Sequence, residues 1–91
     1  MIGAGGDAYH WLWHVEEGTP MPLDLARRGY DVWMVNPRGT MYSEENDRYT
    51  VDDYEYWDWS WSDQGVIDNV ALVSMVKQVS GVNKIIYVGF S

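Results

Sequence analysis

Two stretches of the 91-residue chain hold residues whose types and spacing could do chemistry. In Lys84-Ile85-Ile86-Tyr87-Val88-Gly89-Phe90-Ser91 a β-branched apolar run meets a glycine and, two places on, a serine. A strand buried on both faces that runs into Gly-x-Ser is the first half of the G-x-S-x-G turn. That turn lifts a serine hydroxyl to the rim of a parallel sheet, where it attacks an acyl carbon once a base takes its proton. The second stretch is the loop Gly3-Ala4-Gly5-Gly6-Asp7-Ala8, with Met1-Ile2 as the end of a strand leading into it. The chemistry suggested is nucleophilic catalysis, in a chain expected to be a piece cut at its own nucleophile.

Such a serine needs strands and crossover helices behind it. Tyr9 to Val15 carries three large aromatics and two histidines, and Glu16 to Pro20 reads as loop. A helix is expected from about Met21 to Arg28, with Pro22 in its first turn, Asp24 at its positive end and Gly29 closing it. Tyr30 to Val35 is a strand candidate, stopped at Asn36-Pro37 because proline has no N–H to give a ladder. Thr40 to about Trp61 lacks a clean period and reads as a long loop with a short helical turn. Ser60-x-x-Asp63 then has capping-box character, Ile67, Val70, Ala71 and Ser74 mark a helix face, and Val66, Val73, Val76 and Val79 widen it. Gly81 stops that helix, and Ile85 to Gly89 is the last strand. Strands alternating with helices predict an α/β fold, one partial domain over 1–91, with parallel strands and crossover helices, truncated at both ends. Ligands of such sheets sit at the carboxyl ends of the strands, where the glycine loop, Asn36-Pro37-Arg38-Gly39 and Ser91 converge.

Composition narrows the partners. Apolar residues make up 46% of the chain, too many for a disordered segment. A net charge of −8 disfavours nucleic acid and anionic membrane surfaces. Cysteine is absent, which removes disulfide frameworks and thiolate metal sites. No apolar run is long enough to span a bilayer, and Met1 to Asp7 lacks the basic start and apolar centre of a signal peptide.

Taken in order, Gly29-Tyr30-Asp31-Val32-Trp33, Asn36-Pro37-Arg38-Gly39, Tyr56-Trp57-Asp58-Trp59-Ser60 and Tyr87-Val88-Gly89-Phe90-Ser91 resemble the acid lipase family of α/β-hydrolases, which includes gastric and lysosomal acid lipases. That family's pattern is roughly GYDVW, GNxRG, FWxFS and YVGHSQG, and its opening HG dipeptide is matched in part by Gly3. This sequence departs from it at Ile2, Val35 and Phe90, where the family has histidine, glycine and histidine. The resemblance implies a serine lipase that cleaves lipid esters through an acyl-enzyme, with no cofactor or metal. It makes Ser91 the nucleophile and the backbone N–H of Ala4 one oxyanion donor. The second donor, the triad acid and histidine, and a lid that meets the lipid interface would all follow Ser91. It also implies a secreted or lysosomal protein, although no N-x-S/T sequon is present. In such a fold the strand before the glycine loop lies between the other two, so 30–35 and 85–89 are expected to flank a stub. The isolated piece is then expected to be marginal or unfolded, and inactive.

Other readings of the same residues stay open. Gly3-x-Gly5-x-x-Ala8 with Asp24 fits a dinucleotide fingerprint, but Met1-Ile2 is a short strand for it. His10 and His14 stand four apart, yet Trp11 sits where a zincin has glutamate. Histidine before serine would suit a chymotrypsin-like order, against the α/β layout. Tyr54 to Trp61 could form a sugar-stacking platform with Glu55 and Asp58 as a carboxylate pair, or a non-catalytic carbohydrate- or partner-binding module. Arg38 reads most simply as a loop clamp holding backbone carbonyls, and Ser91 alone as an ordinary serine.

Overall fold

The structure is a computed structural model that describes residues 6–13 and 18–91. Its chain divides into two compact units, Met1–Asn36 with Val88–Ser91, and Pro37–Tyr87.

In the first unit Asp7 opens a 3-10 turn, Ala8–Leu12. Its carboxylate accepts from the Tyr9 N–H at 2.8 Å, while His10 Nδ1 accepts from the Asp7 N–H at 3.1 Å. The two side chains thus close a reciprocal box at the start of the turn. Helix α1, Met21–Arg27, packs against this turn. Proline at its start costs no hydrogen bond, because the first N–H groups of a helix have no partner within it. Asp24 lies in its first turn, and an exposed Arg28–Asp24 ion pair at 2.9 Å links one turn to the next. The helix stops as Gly29 swings to φ +94°, with Gly29 N–H donating to the Ala26 carbonyl and Tyr30 N–H to that of Leu25. Those two bonds form a Schellman motif, and the left-handed residue in it is a glycine because any other would strain.

The second unit begins with a tight loop. Thr40 Oγ1 donates to the Pro37 carbonyl at 2.9 Å and Gly39 N–H to the Ser43 carbonyl at 3.2 Å. The long stretch that follows is a chain of side-chain-capped turns. Asn46 Oδ1 accepts from the N–H groups of Arg48 and Tyr49, and Asp53 accepts from both N–H and hydroxyl of Thr50 before the 3-10 turn Tyr54–Trp57. Helix α2, Trp61–Asp63, starts on the expected box: Ser60 N–H and Oγ donate to Asp63 Oδ2 at 2.7 and 2.9 Å. It runs directly into a π-helical turn, Gln64–Asp68, and then α3, Asn69–Ser80. Gly81 ends α3 at φ +74°, its N–H on the Lys77 carbonyl.

The strands expected over Tyr30–Val35 and Ile85–Gly89 are not formed among the described residues, where every regular element is helical. The reason lies in what a strand is. A helix closes its own hydrogen bonds, whereas a strand needs a neighbour to take its N–H and C=O groups. The expected neighbour, Met1-Ile2, lies outside the described residues, as do Gly3 to Gly5 and His14. Within the apolar run Ile86 is 82% exposed. The valine-rich helix face behaves similarly: Val76 is buried, but Val66, Ile67, Val70 and Val79 are exposed.

Candidate active site

Ser91 belongs to the same unit as Asn36. Its backbone takes φ +63°, and among the described residues no other non-glycine residue has positive φ. That φ lies in a region that L-residues enter against a steric penalty. The expected oxyanion donor, Ala4, lies outside the described residues. The end of its segment is described, however. There the Ala8 N–H donates to Asn36 Oδ1 at 2.7 Å, a part-buried bond between residues 28 positions apart.

His10, considered above as a metal ligand, is engaged instead with Asp7 and packs on Trp13 with ring centroids 5.7 Å apart. Among the described residues no group of three or more His, Cys, Asp or Glu side chains gathers as a metal site.

Arg38 clamps its loop, but not by holding carbonyls. Its guanidinium grips the Asp68 carboxylate, Nε at 2.9 Å from each oxygen and Nη2 at 2.6 Å from Oδ1. The Arg38 N–H donates to Asp68 Oδ2 at 3.1 Å, and its carbonyl accepts from Gln64 Nε2 at 3.0 Å. One helical turn therefore holds residue 38 by both peptide groups and by its side chain. The bond to Asp68 raises the Arg38 pKa above its ordinary value, against the opposing effect of burial. Neither Gln64 nor Asp68 stood out in the sequence, although a lone carboxylate amid Gly65-Val66-Ile67 and Asn69-Val70-Ala71 is a polar group in apolar surroundings that asks for a partner.

The aromatic cluster packs this same loop. Tyr56 is buried, meets Trp57 edge to face at 4.8 Å, and has its pKa raised first by burial and then by Glu44. The Trp57 indole N–H donates to the Val51 carbonyl at 2.8 Å, and Trp57 and Trp59 both border Gly39. These contacts favour loop packing over a flat stacking platform. An open hollow of about 560 Å³ remains beside Arg38, Tyr56, Trp59 and the Glu45 to Arg48 turn.

Known proteins similar to this chain are lipases. A probable lipase of Schizosaccharomyces pombe is 36% identical over 81 residues, 89% of this chain and 17% of its own length. Mouse lipase member M is 33% identical over 89 residues, 98% of this chain and 21% of its own. Rat gastric triacylglycerol lipase is 34% identical over 89 residues, 98% of this chain and 22% of its own. The chain therefore spans about a fifth of the length of the curated relatives it matches. No family model matches it, and no solved structure does. The class these likenesses define is lipase, with an α/β-hydrolase parent fold implied. Within it, the chain belongs to an acid lipase-like family.

Proposed function

We propose that this chain is the nucleophile-bearing part of a serine lipase that hydrolyses lipid esters, in a protein that is secreted or lysosomal. Ser91 Oγ attacks the ester carbonyl carbon as a histidine further along the chain takes its proton. The alcohol leaves with that proton, and water then cleaves the acyl-enzyme by the same steps in reverse roles. The backbone N–H of Ala4 is one donor to the oxyanion, a contribution worth roughly a hundredfold or more in rate. The observation that carries the reading is the conjunction at one residue: Gly89-Phe90-Ser91 ends a stretch similar to lipases over nearly its whole length, and Ser91 takes φ +63°. A positive φ at the serine is compatible with the sharp strand-to-helix turn of this chemistry.

The test is covalent. A fluorophosphonate probe added to the folded full-length protein is expected to modify Ser91, located by peptide mass spectrometry. Ser91→Ala should abolish both labelling and ester hydrolysis. A folded protein that hydrolyses esters without labelling at Ser91 would defeat the assignment.

A further inference from the structure

We infer that the open hollow beside Arg38 and the Glu45 to Arg48 turn is a binding site for a phosphocholine-type zwitterion, a phosphate ester joined by a short stem to a quaternary ammonium. The inference goes beyond the lipase reading and does not depend on the role of Ser91.

Three observations lead to it. The first is charge. Arg38 and Asp68 border the hollow but neutralise one another, with Nε and Nη2 of the guanidinium on the carboxylate. That leaves Nη1 of Arg38, the Arg48 guanidinium and the Glu45 and Asp47 carboxylates, which take no hydrogen bond or ion pair among the described residues. A lone anion here would face two carboxylates on a chain of net charge −8, and a lone cation would face the arginines. A ligand carrying both charges on one stem satisfies both sets: guanidinium N–H groups match phosphate oxygens, and the carboxylates attract the ammonium. The second is an aromatic wall. Trp59 lines the hollow half-buried, its benzo edge against Gly39 and its ring 6.1 Å from that of Trp57. An indole held in this way offers a fixed surface to a quaternary ammonium, which is attracted from within about 6 Å of the ring centroid. The third is that the walls are set before any ligand arrives. Asp68 and Gln64 hold residue 38 by its N–H and its carbonyl, and Asn46 Oδ1 holds the N–H groups of Arg48 and Tyr49 at 2.8 and 3.0 Å. Preformed walls lower the ordering cost of binding. The volume of about 560 Å³ falls in the range usual for small-ligand sites.

The experiment titrates phosphocholine, choline and inorganic phosphate separately into the full-length protein by calorimetry. Phosphocholine is expected to bind saturably, and at least about fivefold more tightly than choline or phosphate. Arg48→Ala, and separately Glu45→Gln combined with Asp47→Asn, should each weaken phosphocholine binding by roughly fivefold or more. These three side chains are exposed and carry no bond among the described residues, so the urea midpoint of each variant should match that of wild type. Attachment to vesicles of dialkyl phosphatidylcholine that free phosphocholine releases and Arg48→Ala lacks would identify a membrane-held headgroup as the source. Saturable binding of soluble phosphocholine without such attachment would identify the free compound. No saturable binding, equal affinity for phosphate or choline alone, or binding that either variant leaves intact would overturn the inference, while labelling at Ser91 bears on the lipase reading alone.

Discussion

Arg38 and Asp68, thirty positions apart, are joined by the guanidinium fork and by the Arg38 main-chain N–H onto the same carboxylate. The pair is partly shielded, with side chains 36% and 13% exposed, so its charges are screened less than those of a surface pair. Planar, bidentate contact of this kind is what arginine offers and lysine does not.

Arg38→Lys in the full-length protein is therefore expected to cost about 1 to 2 kcal/mol, read as a lower urea midpoint. Combining it with Asp68→Asn should add little beyond the larger single effect. Simple additivity of the two losses would show that the side chains act independently.

Gly39→Ala should be worse than an ordinary surface change. Gly39 sits at φ +76°, and a Cβ there would collide with the Trp59 ring while lying 3.2 Å from Trp57. Strain and overpacking together are expected to cost roughly 2 to 4 kcal/mol. Tryptophan emission should shift with the loss of stability, and unchanged emission with an unchanged midpoint would contradict the packing.

The box at the start of α2 predicts a pH dependence. Bonds from the Ser60 N–H and hydroxyl lower the Asp63 pKa below the ordinary carboxylate range. The folded state thus binds this proton less tightly than the unfolded chain. The contribution is complete above the unfolded-state pKa, about 3.9, and is lost as pH falls through the lower folded-state value. Asp63→Ala should accordingly lower the urea midpoint at pH 7, with the gap to wild type closing in strong acid. A gap that widens on acidification would reverse the sign and refute it.

The 91-residue chain by itself should melt without a sharp transition. Among its described residues Tyr56 and Val76 are the buried large apolar side chains, while Ile86, Val66, Phe90 and Trp61 are all more than half exposed. A core that small offers little against the entropy of ordering the backbone. A cooperative heat-capacity peak from the isolated chain would contradict this.

What the sequence made legible follows the range of the signal. Helix α1, its glycine stop, the Ser60–Asp63 box and the Gly81 terminus are written in residues a few positions apart, and each forms as read. The strands are not formed among the described residues, and a strand's partner, lying far away in sequence, leaves no local signal to read. Arg38 was legible as a clamp but not in its grip, since nothing near it names Asp68 or Gln64. The roles of Ser91 and Ala4 came from motif order and remain proposals.

The wide turn at Gln64–Asp68 has an effect further along the helix. Asn69 N–H reaches back to the Gln64 carbonyl, five residues rather than four. One surplus residue rotates everything after it by about 100° relative to an uninterrupted α-helix. Counting faces from Ser60 therefore misphases the later valines. Removing a single residue from this turn would rewind the helix and point Val76 away from the side it now covers.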